Sequence, residues 1–313
     1  MPLAASILQR FKALTDRPSS RLLITVSLLA IILTRLDTQK ISSLISHFDL
    51  RIGAIMLAVN CLLFALFALR WQLISTQLGF RPPFEKMLAT VWLAGFLGQF
   101  GPTIVISEIT RFQSLRGKAK TSQIISSQIL DRVSGQVVLF AIALAAIPIY
   151  LFGNNSNLPD STNPVHAYTL AIIVVGSSFL YRYRKWLLRR FRKQLRILNP
   201  HKSPKHYAVS LLIQAALIFN FLLAAIGLSA LDDTFSVLIA VPLVLTATTL
   251  LPLAIADWGT REAAALLILG AQGMSPEMIV SISVIYGTFN LIAALPGGIH
   301  LLRTSPLSVD KPT

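Results

Sequence analysis

The sequence predicts an all-α protein that crosses a membrane several times, and its composition carries that prediction. Of 313 residues, 54% are hydrophobic and only 13% are charged, and the mean hydropathy is +0.67. Soluble domains have about 25% charged residues, so an ordinary soluble enzyme and a disordered chain are both excluded. The one cysteine, Cys61, excludes internal disulfides and cysteine-based metal motifs.

Stretches without charged residues locate the hydrophobic segments, because about 20 apolar residues are needed to cross a bilayer. We expect about eight segments. The full spans are predicted at 22–36, 52–69, 133–152, 167–181, 208–230 and 278–302. The other two segments, 87–110 and 235–271, are interrupted by proline and glycine, and the sequence leaves open whether they are re-entrant or fully spanning.

The distribution of Lys and Arg predicts the orientation, since cytoplasmic loops are enriched in both. Basic residues cluster in 1–21, 111–132 and 182–206, whereas the loop 153–166 has none. We therefore expect a protein of the cytoplasmic membrane with a cytoplasmic N-terminus, an external loop at 153–166 and a cytoplasmic tail at 303–313. The segment 182–206 alternates basic and apolar residues, which indicates an interfacial amphipathic helix and not a nucleic-acid partner.

Two motif segments align without gaps, GPTIVISEITRF at 101–112 and LPLAIADWGTRE at 251–262. The identities are Pro102 with Pro252, Thr110 with Thr260, and Arg111 with Arg261. If each motif segment enters and leaves the membrane on the same side, each half of the chain has three full crossings. Because three is an odd number, the second half then starts on the opposite side of the membrane and is inverted relative to the first. The sequence thus predicts a single membrane domain of two inverted-topology repeats, 22–152 and 167–302, each with a broken helix, a recurring plan of transporters.

Each break is expected near its proline, and a new helix is expected to follow it. Ser107 and Asp257 are the predicted caps of these helices, with Glu108 and Glu262 in or near the first turn. Non-helical backbone at membrane depth is tolerated only beside protein or a water-filled cavity. We therefore expect a cavity at the breaks.

Arg111 and Arg261 are the sharpest binding candidates, because a guanidinium group offers five donors that match phosphate oxygens. Acidic neighbours would hold these groups when the site is empty. The candidate headgroup-binding residues are Glu108, Arg111, Asp131, Arg132, Asp257, Trp258, Gly259, Arg261 and Glu262. The alternative for each is a structural ion pair that only orients helices.

Other polar residues receive plainer interpretations. Arg70 and Trp71 are expected to anchor a span at the interface, and His201 and His206 are expected to be solvated. Four amides fall in apolar windows and predict hydrogen bonds between helices or cavity lining: Asn60, Gln99, Asn220 and Asn290. No motif of a nucleophile elbow, a phosphate-binding loop or a zinc site is present, so no catalytic residue, metal or cofactor is expected.

Four motifs together resemble the membrane part of the lysylphosphatidylglycerol synthase/flippase family, over roughly residues 20–302. They are R-W-x-L from Arg70, P-x5-E-x2-R from Pro102, D-R-x-x-G from Asp131 and W-G-x-R-E from Trp258. The resemblance implies an eight-segment bundle that moves a lipid headgroup between leaflets, and it places Glu108, Arg111, Asp131, Arg132, Arg261 and Glu262 on motif positions. The TIVIS stretch after Pro102 lacks the family's glycines, so the flexibility of this loop and its close approach to a ligand are not carried over from the family. The aminoacyl-transfer domain is not expected in this chain, so lipid lysylation is not expected either.

The leading expectation is a flippase-like transporter of a phospholipid or polyprenyl-linked headgroup, anionic or zwitterionic at its phosphate. Its partners would be anionic or polyprenyl-phosphate lipids. The first alternative is an accessory protein that docks a glycosyltransferase or a lipid-modifying enzyme through 182–206. The second is a membrane enzyme that uses Glu108 or Asp257 as a base.

Overall fold

The computed structural model describes residues 36–100, 103–152, 204–230, 234–250 and 257–303, with Val26, Ala30 and Thr34. All regular structure in these ranges is helical. The helices are α1 Thr38–Ser46, α2 Leu50–Gln77, α3 Phe84–Gly98, α4 Thr103–Leu115, α5 Thr121–Phe152, α6 Pro204–Gly227, α7 Thr234–Leu250, α8 Thr260–Gly270, α9 Pro276–Ala294 and α10 Pro296–Arg303. The predicted class, an all-α polytopic membrane protein, is confirmed.

Four stretches of the described ranges are long and apolar enough to span a membrane: α2, α5 to Ile149, α6, and α9 continued to Ile299. Large apolar side chains on three of them point away from the bundle, with Leu62 53%, Leu144 60% and Leu212 57% exposed. A soluble protein rarely exposes contiguous apolar surface of this kind, whereas lipid covers it. These helices correspond to four of the predicted spans; 167–181 and all but three residues of 22–36 lie outside the described residues.

The two interrupted segments each fold as a pair of short helices. In the first, α3 has 15 residues and α4 has 13, and the two helices pack against each other. In the second, α7 has 17 residues and α8 has 11, and these also pack together. Each helix is shorter than the ~20 residues a full crossing needs, so the pairing favours re-entrant hairpins. The inverted-repeat relation between them stays a prediction.

The predicted caps after the breaks were wrong. Helix α4 begins at Thr103, directly after Pro102, so Ser107 and Glu108 lie in its second turn. Asp257 lies in a turn with φ 62°, and the N-cap of α8 is Gly259, with φ 88°. Glu262 does lie in the first turn, where its Oε2 accepts the Gly259 N–H at 2.6 Å.

Helices α2 and α5 extend well beyond their charge-free windows, which were 52–69 and 133–152. Arg70 therefore lies inside α2, and Asp131 inside α5, with exposed fractions of 5% and 2%. A charge ends a hydrophobic window, but it does not end a helix when an opposite charge on a neighbouring helix compensates it.

The stretch 37–51 follows the first predicted span from a cytoplasmic N-terminus, so we expect it to be external, and it contains helix α1. The Asp37 side chain caps this helix by accepting from the N–H groups of Gln39 and Lys40 at 2.9 and 3.1 Å. Helix α1 packs on α9, and Lys40 Nζ lies 3.4 Å from Glu277 Oε2.

The last predicted span, 278–302, is divided into α9 and α10 at Leu295. Helix α10 packs on α3, and at Gly297 a Cβ atom would collide with the backbone carbonyl of Trp92. The Trp92 indole Nε1 also donates to the Ala293 carbonyl at 2.9 Å. Helix α3 is therefore fastened to the end of α9 and to α10.

Candidate functional site

A buried ion-pair network joins α2, α4 and α5. The Asp131 carboxylate accepts from Arg70 Nε at 2.7 Å with one oxygen and from Arg111 Nη2 at 2.8 Å with the other. All three side chains are less than 10% exposed. One carboxylate thus compensates two guanidinium groups, which charge-assisted hydrogen bonds of this length stabilise.

The network continues along α4 toward the more open side of the bundle. Glu108 Oε1 accepts from Arg132 Nε at 2.6 Å and lies 3.5 Å from Arg111 Nη1. Arg132 Nη2 also bonds Ser107 Oγ at 3.0 Å. The Arg132 side chain is 37% exposed, so it is the most accessible cation of the group.

Trp71 supports Arg111 from α2. The Arg111 guanidinium carbon lies 4.0 Å from the centroid of the Trp71 ring, within the range of cation–π attraction. Trp71 is completely buried, and its Nε1 donates to Ser127 Oγ on α5 at 3.0 Å. The indole is therefore held in place while it supports the arginine.

A second buried cluster lies at the start of α8. Glu262 Oε1 accepts from Arg261 Nη2 at 2.8 Å and from Ser283 Oγ at 2.7 Å, while Arg261 Nε donates to Ser283 Oγ at 2.8 Å. Arg261 is 5% exposed and Glu262 is 1% exposed. The Arg261 guanidinium carbon lies 5.1 Å from the Trp258 ring centroid and 5.4 Å from that of Tyr286.

Glycine makes room for an arginine in both clusters. A Cβ atom on Gly135 would stand 2.6 Å from Arg70 Nη1, and one on Gly287 would stand 2.5 Å from Arg261 Nη2. Real Cβ contacts essentially never reach such distances. The absence of a side chain at these two positions therefore lets each guanidinium group approach the backbone of a neighbouring helix closely.

A cavity of about 300 Å³ adjoins the first cluster. Its charged lining residues are Arg70, Arg111, Asp131 and Arg132. Its neutral polar lining comes from Asn60, Gln99, Ser107, Tyr286 and Asn290, and its apolar lining from Leu63, Phe64, Phe67, Val91, Ala94, Gly95 and Leu217. The cavity therefore combines paired charge with an apolar wall inside the bundle.

The structure distributes the nine predicted site residues over two clusters. Arg111, Asp131 and Arg132 line the cavity, and Glu108 borders it through Arg132. Trp258, Gly259, Arg261 and Glu262 form the second cluster, which meets the cavity wall at Tyr286. The Asp257 backbone carbonyl accepts from Thr260 Oγ1 at 3.1 Å, which places this residue beside the second cluster at the start of α8. Arg111 therefore lines the cavity, whereas Arg261 is outside its described lining and approaches the cavity wall at the Tyr286 ring.

Several site residues were missed by the sequence. Arg70 was interpreted as an interfacial anchor, but it is buried and paired with Asp131. The signal available in the sequence was that Arg70 and Asp131 each begin one of the four family motifs, R-W-x-L and D-R-x-x-G. Ser283, Tyr286 and Gly287 on α9 gave no signal, because their importance depends on a helix that is distant in sequence.

One expectation about polar residues was wrong. His206 was expected to be solvated, yet it is completely buried in the first turn of α6, and its ring nitrogens have no hydrogen-bond partner among the described residues.

The amides follow one of their two expected roles. Asn60, Gln99 and Asn290 line the cavity, and the Asn60 side chain also donates to the Met56 carbonyl of its own helix at 3.0 Å. The polar atoms of the Asn220 side chain have no partner within the described part of the chain.

Membrane-spanning helices that surround a cavity with paired buried charges define the class of this protein, a multi-pass α-helical membrane protein. The family follows from the sequence comparison, because residues 20–298 match the family described as the lysylphosphatidylglycerol synthase TM region. The chain belongs to this family, and the resemblance drawn from its four motifs is confirmed. Neither the curated proteins nor the solved structures gave a match to the chain.

Proposed function

We propose that this protein is a flippase-like transporter that moves the phosphate-bearing headgroup of a phospholipid or polyprenyl-linked lipid across the cytoplasmic membrane. The observation that carries the proposal is the cavity in which Arg70, Arg111 and Arg132 accompany apolar side chains. Charges in membrane segments are costly, and they commonly mark a substrate pathway. Membership of a family named for lipid synthesis supports a lipid as the substrate.

The structural alternative is that the ion pairs only orient helices. A buried ion pair is weak evidence for a stabilising role, because the desolvation cost can exceed the attraction. Among the described residues, Arg111 Nε and Glu108 Oε2 are buried without a hydrogen-bond partner. Buried polar atoms of this kind are uncommon and call for an explanation, and rearrangement of the network around a bound phosphate is the one that fits the proposal.

The direct test is lipid movement in vesicles reconstituted with the purified protein. Phosphatidylglycerol labelled on an acyl chain is placed in both leaflets, and a membrane-impermeant reductant bleaches the accessible label. We expect the native protein to expose the inner-leaflet label and Arg111→Gln to abolish that exposure. The control variant Lys40→Gln removes the ion pair between Lys40 of α1 and Glu277 in the first turn of α9. This variant should retain the native rate of lipid movement. Native movement by Arg111→Gln at equal amounts of folded protein would refute the proposal.

The same vesicles separate the two rival functions. If the protein docks a partner enzyme, binding of that partner should be unaffected by Arg111→Gln. The partner should instead be released when the basic residues of 182–206 are neutralised, namely Arg189, Arg190, Arg192 and Lys193. An enzyme would return a chemically altered lipid, whereas a transporter returns the labelled lipid unchanged, as mass spectrometry would show. We further propose that both termini face the cytoplasm.

A further inference from the structure

Helix α6 carries a line of buried polar residues along one face. His206, Ser210 and Gln214 follow one another at intervals of four residues, which places them on the same side of the helix over about 12 Å. All three are buried, His206 and Ser210 completely. Gln214 Nε2 donates to the Gly135 carbonyl of α5 at 3.3 Å. The polar line therefore runs inside the bundle, between α6 and its neighbouring helices.

This polar line adjoins the ion-pair network. Arg70 Nη1 donates to Ser210 Oγ at 3.4 Å, while Arg70 Nε donates to Asp131. Ser210 Oγ in turn donates to the His206 carbonyl at 2.9 Å. His206 therefore lies one helical turn from the point at which α6 contacts the network.

The polar line is incompletely hydrogen-bonded. Both ring nitrogens of His206 and the Oε1 atom of Gln214 are buried and have no partner among the described residues. A neutral imidazole has one donor and one acceptor nitrogen, and buried groups that leave both unpaired are uncommon. A ring that gains and loses a proton during function explains the arrangement, because histidine changes its charge near neutral pH.

Helices α2, α5, α7 and α9 pack on α6, and the ionisable groups nearest to His206 come from the first two. Helix α2 contributes Arg70 and α5 contributes Asp131, both through the Ser210 contact. On α6 itself, the Tyr207 ring centroid lies 4.3 Å from that of His206, and Lys205 is exposed.

The other two helices place no charge beside the imidazole ring. Helix α7 contains no ionisable residue. On α9, Glu277 pairs with Lys40 of α1. Tyr286 of α9 contacts Phe221, which is about four turns beyond His206 along α6. The electrostatic environment of His206 within the described helices is therefore set by the ion-pair network.

The network has a positive charge in excess, which a headgroup phosphate would neutralise. Three cations come from Arg70, Arg111 and Arg132, and two carboxylates come from Asp131 and Glu108. A phosphate with a single negative charge brings this sum to zero. Nearby positive charge opposes a proton on a buried ring, because the dielectric constant there is low. A bound phosphate thus favours protonation of the ring, and by reciprocity a proton on the ring strengthens phosphate binding.

We infer that His206 is a proton-binding site and that a proton binds together with a phosphate-bearing headgroup, which makes this protein a proton-coupled lipid transporter. The proton comes from solvent water, binds to a ring nitrogen and returns to solvent when the headgroup leaves, so no bond of the lipid is broken. This inference rests on the proposed transport function. It names the ion whose gradient drives the movement of the lipid.

Proton uptake is measured on the native protein in detergent. Short-chain phosphatidylglycerol is titrated calorimetrically in buffers that differ in ionisation enthalpy, so that the heat reports the protons taken up on binding. We expect proton uptake, and binding at least about threefold tighter at pH 6 than at pH 8, since one linked proton changes an affinity by at most about tenfold per pH unit. Binding without proton uptake, or with equal affinity at both pH values, would overturn the inference.

Variants assign the proton to a residue. His206→Gln retains a donor and an acceptor but does not titrate, so it should bind the lipid without proton uptake and with equal affinity at both pH values. His47→Gln makes the same change at the exposed end of α1 and should retain the native pH dependence.

Glu108 is the rival site for the proton, because its Oε2 is buried without a partner among the described residues. Its other oxygen accepts from Arg132 at 2.6 Å, so this carboxylate already has a compensating cation. We expect Glu108→Gln to retain proton uptake on binding. Uptake that disappears in Glu108→Gln but persists in His206→Gln would assign the proton to Glu108 and contradict the inference.

Coupling to movement is measured in vesicles with a pH difference across the membrane. Acyl-labelled phosphatidylglycerol starts evenly divided between the leaflets, and vesicles without protein give the background distribution. We expect the native protein to accumulate the label in the leaflet facing the alkaline side, and His206→Gln to leave it evenly divided. Exchange of the label by the native protein without accumulation would refute the coupling and leave transport intact. Proton uptake in detergent without any movement in vesicles would refute transport alone.

Discussion

Asp131 on α5 accepts a hydrogen bond from Arg111 on α4 at 2.8 Å, and this contact fastens the short helix α4 to the long apolar helix α5. The same carboxylate holds Arg70 on α2. One acid thus holds cations from two other helices and joins α2, α4 and α5 at this point.

Replacement of that acid should therefore be costly. We expect Asp131→Asn to lower the free energy of unfolding by about 3–5 kcal/mol, because two buried guanidinium groups lose their counter-charge. Thermal or denaturant unfolding in detergent would measure the change. Lys40→Gln, which breaks a pair with a 54% exposed lysine, should cost about 1 kcal/mol or less.

Coupling between the pair partners gives a second measurement. The double variant Arg70→Gln/Asp131→Asn should be less destabilised than the sum of its single variants, because removal of Arg70 also removes an uncompensated charge. Strict additivity would show that the carboxylate and this guanidinium group do not interact in the folded protein.

Glycine at the two arginine contacts can be tested by adding one methyl group. Gly135→Ala and Gly287→Ala would place a Cβ atom 2.6 and 2.5 Å from a guanidinium nitrogen, so overpacking by roughly 1–3 kcal/mol is expected. Gly270→Ala is the matched control, because its nearest neighbour would lie at an ordinary 3.9 Å. This control should be neutral or stabilising by up to ~1 kcal/mol, since alanine is the better helix former. Similar unfolding temperatures for all three variants would contradict the close approach.

Glu262 should be the critical acid of the second cluster. It accepts from Gly259 N, Arg261 Nη2 and Ser283 Oγ, and a glutamine has one acceptor oxygen where the carboxylate has two. We expect Glu262→Gln to destabilise the protein by about 3–5 kcal/mol, the cost of leaving a buried arginine unpaired. Glu277→Gln makes the same chemical change at the Lys40 pair and should cost much less. Equal unfolding free energies for the two variants would show that the α8 cluster is not held by this carboxylate.

The orientation can be tested by labelling single cysteines in a Cys61→Ser background. Lys120 precedes α5 and Gln39 lies in α1, and both are exposed. With a membrane-impermeant maleimide, Gln39→Cys should react in intact cells, whereas Lys120→Cys should react only after permeabilisation. The reverse pattern would invert the predicted topology.

Much of the fold could be predicted from the sequence, because hydropathy and the two proline-containing interruptions are local signals. The site was only partly predictable. Arg111, Asp131 and Arg132 were found because charges stand out near apolar stretches. Arg70 was misinterpreted because its partner is 61 positions away in the chain. A predicted span also ends at the first charged residue, because hydropathy does not show whether a second helix neutralises that charge.

Gly287 and Tyr286 show a different limit. A glycine or tyrosine in an apolar helix is unremarkable until a neighbouring arginine is brought against it, as Arg261 is here. That approach is set by the packing of α8 on α9, and a single sequence contains no trace of which helix faces meet.

The bend at Leu295 has a mechanical consequence. Gly297 lies against the backbone of Trp92, whose indole is bonded to Ala293, so α3 is coupled to the end of α9 and to α10. A movement of α3 that opens the cavity must either move α10 with it or break these contacts. A spectroscopic probe attached at the exposed Ile299 of α10 would therefore detect movements of α3 from the outer surface of the bundle.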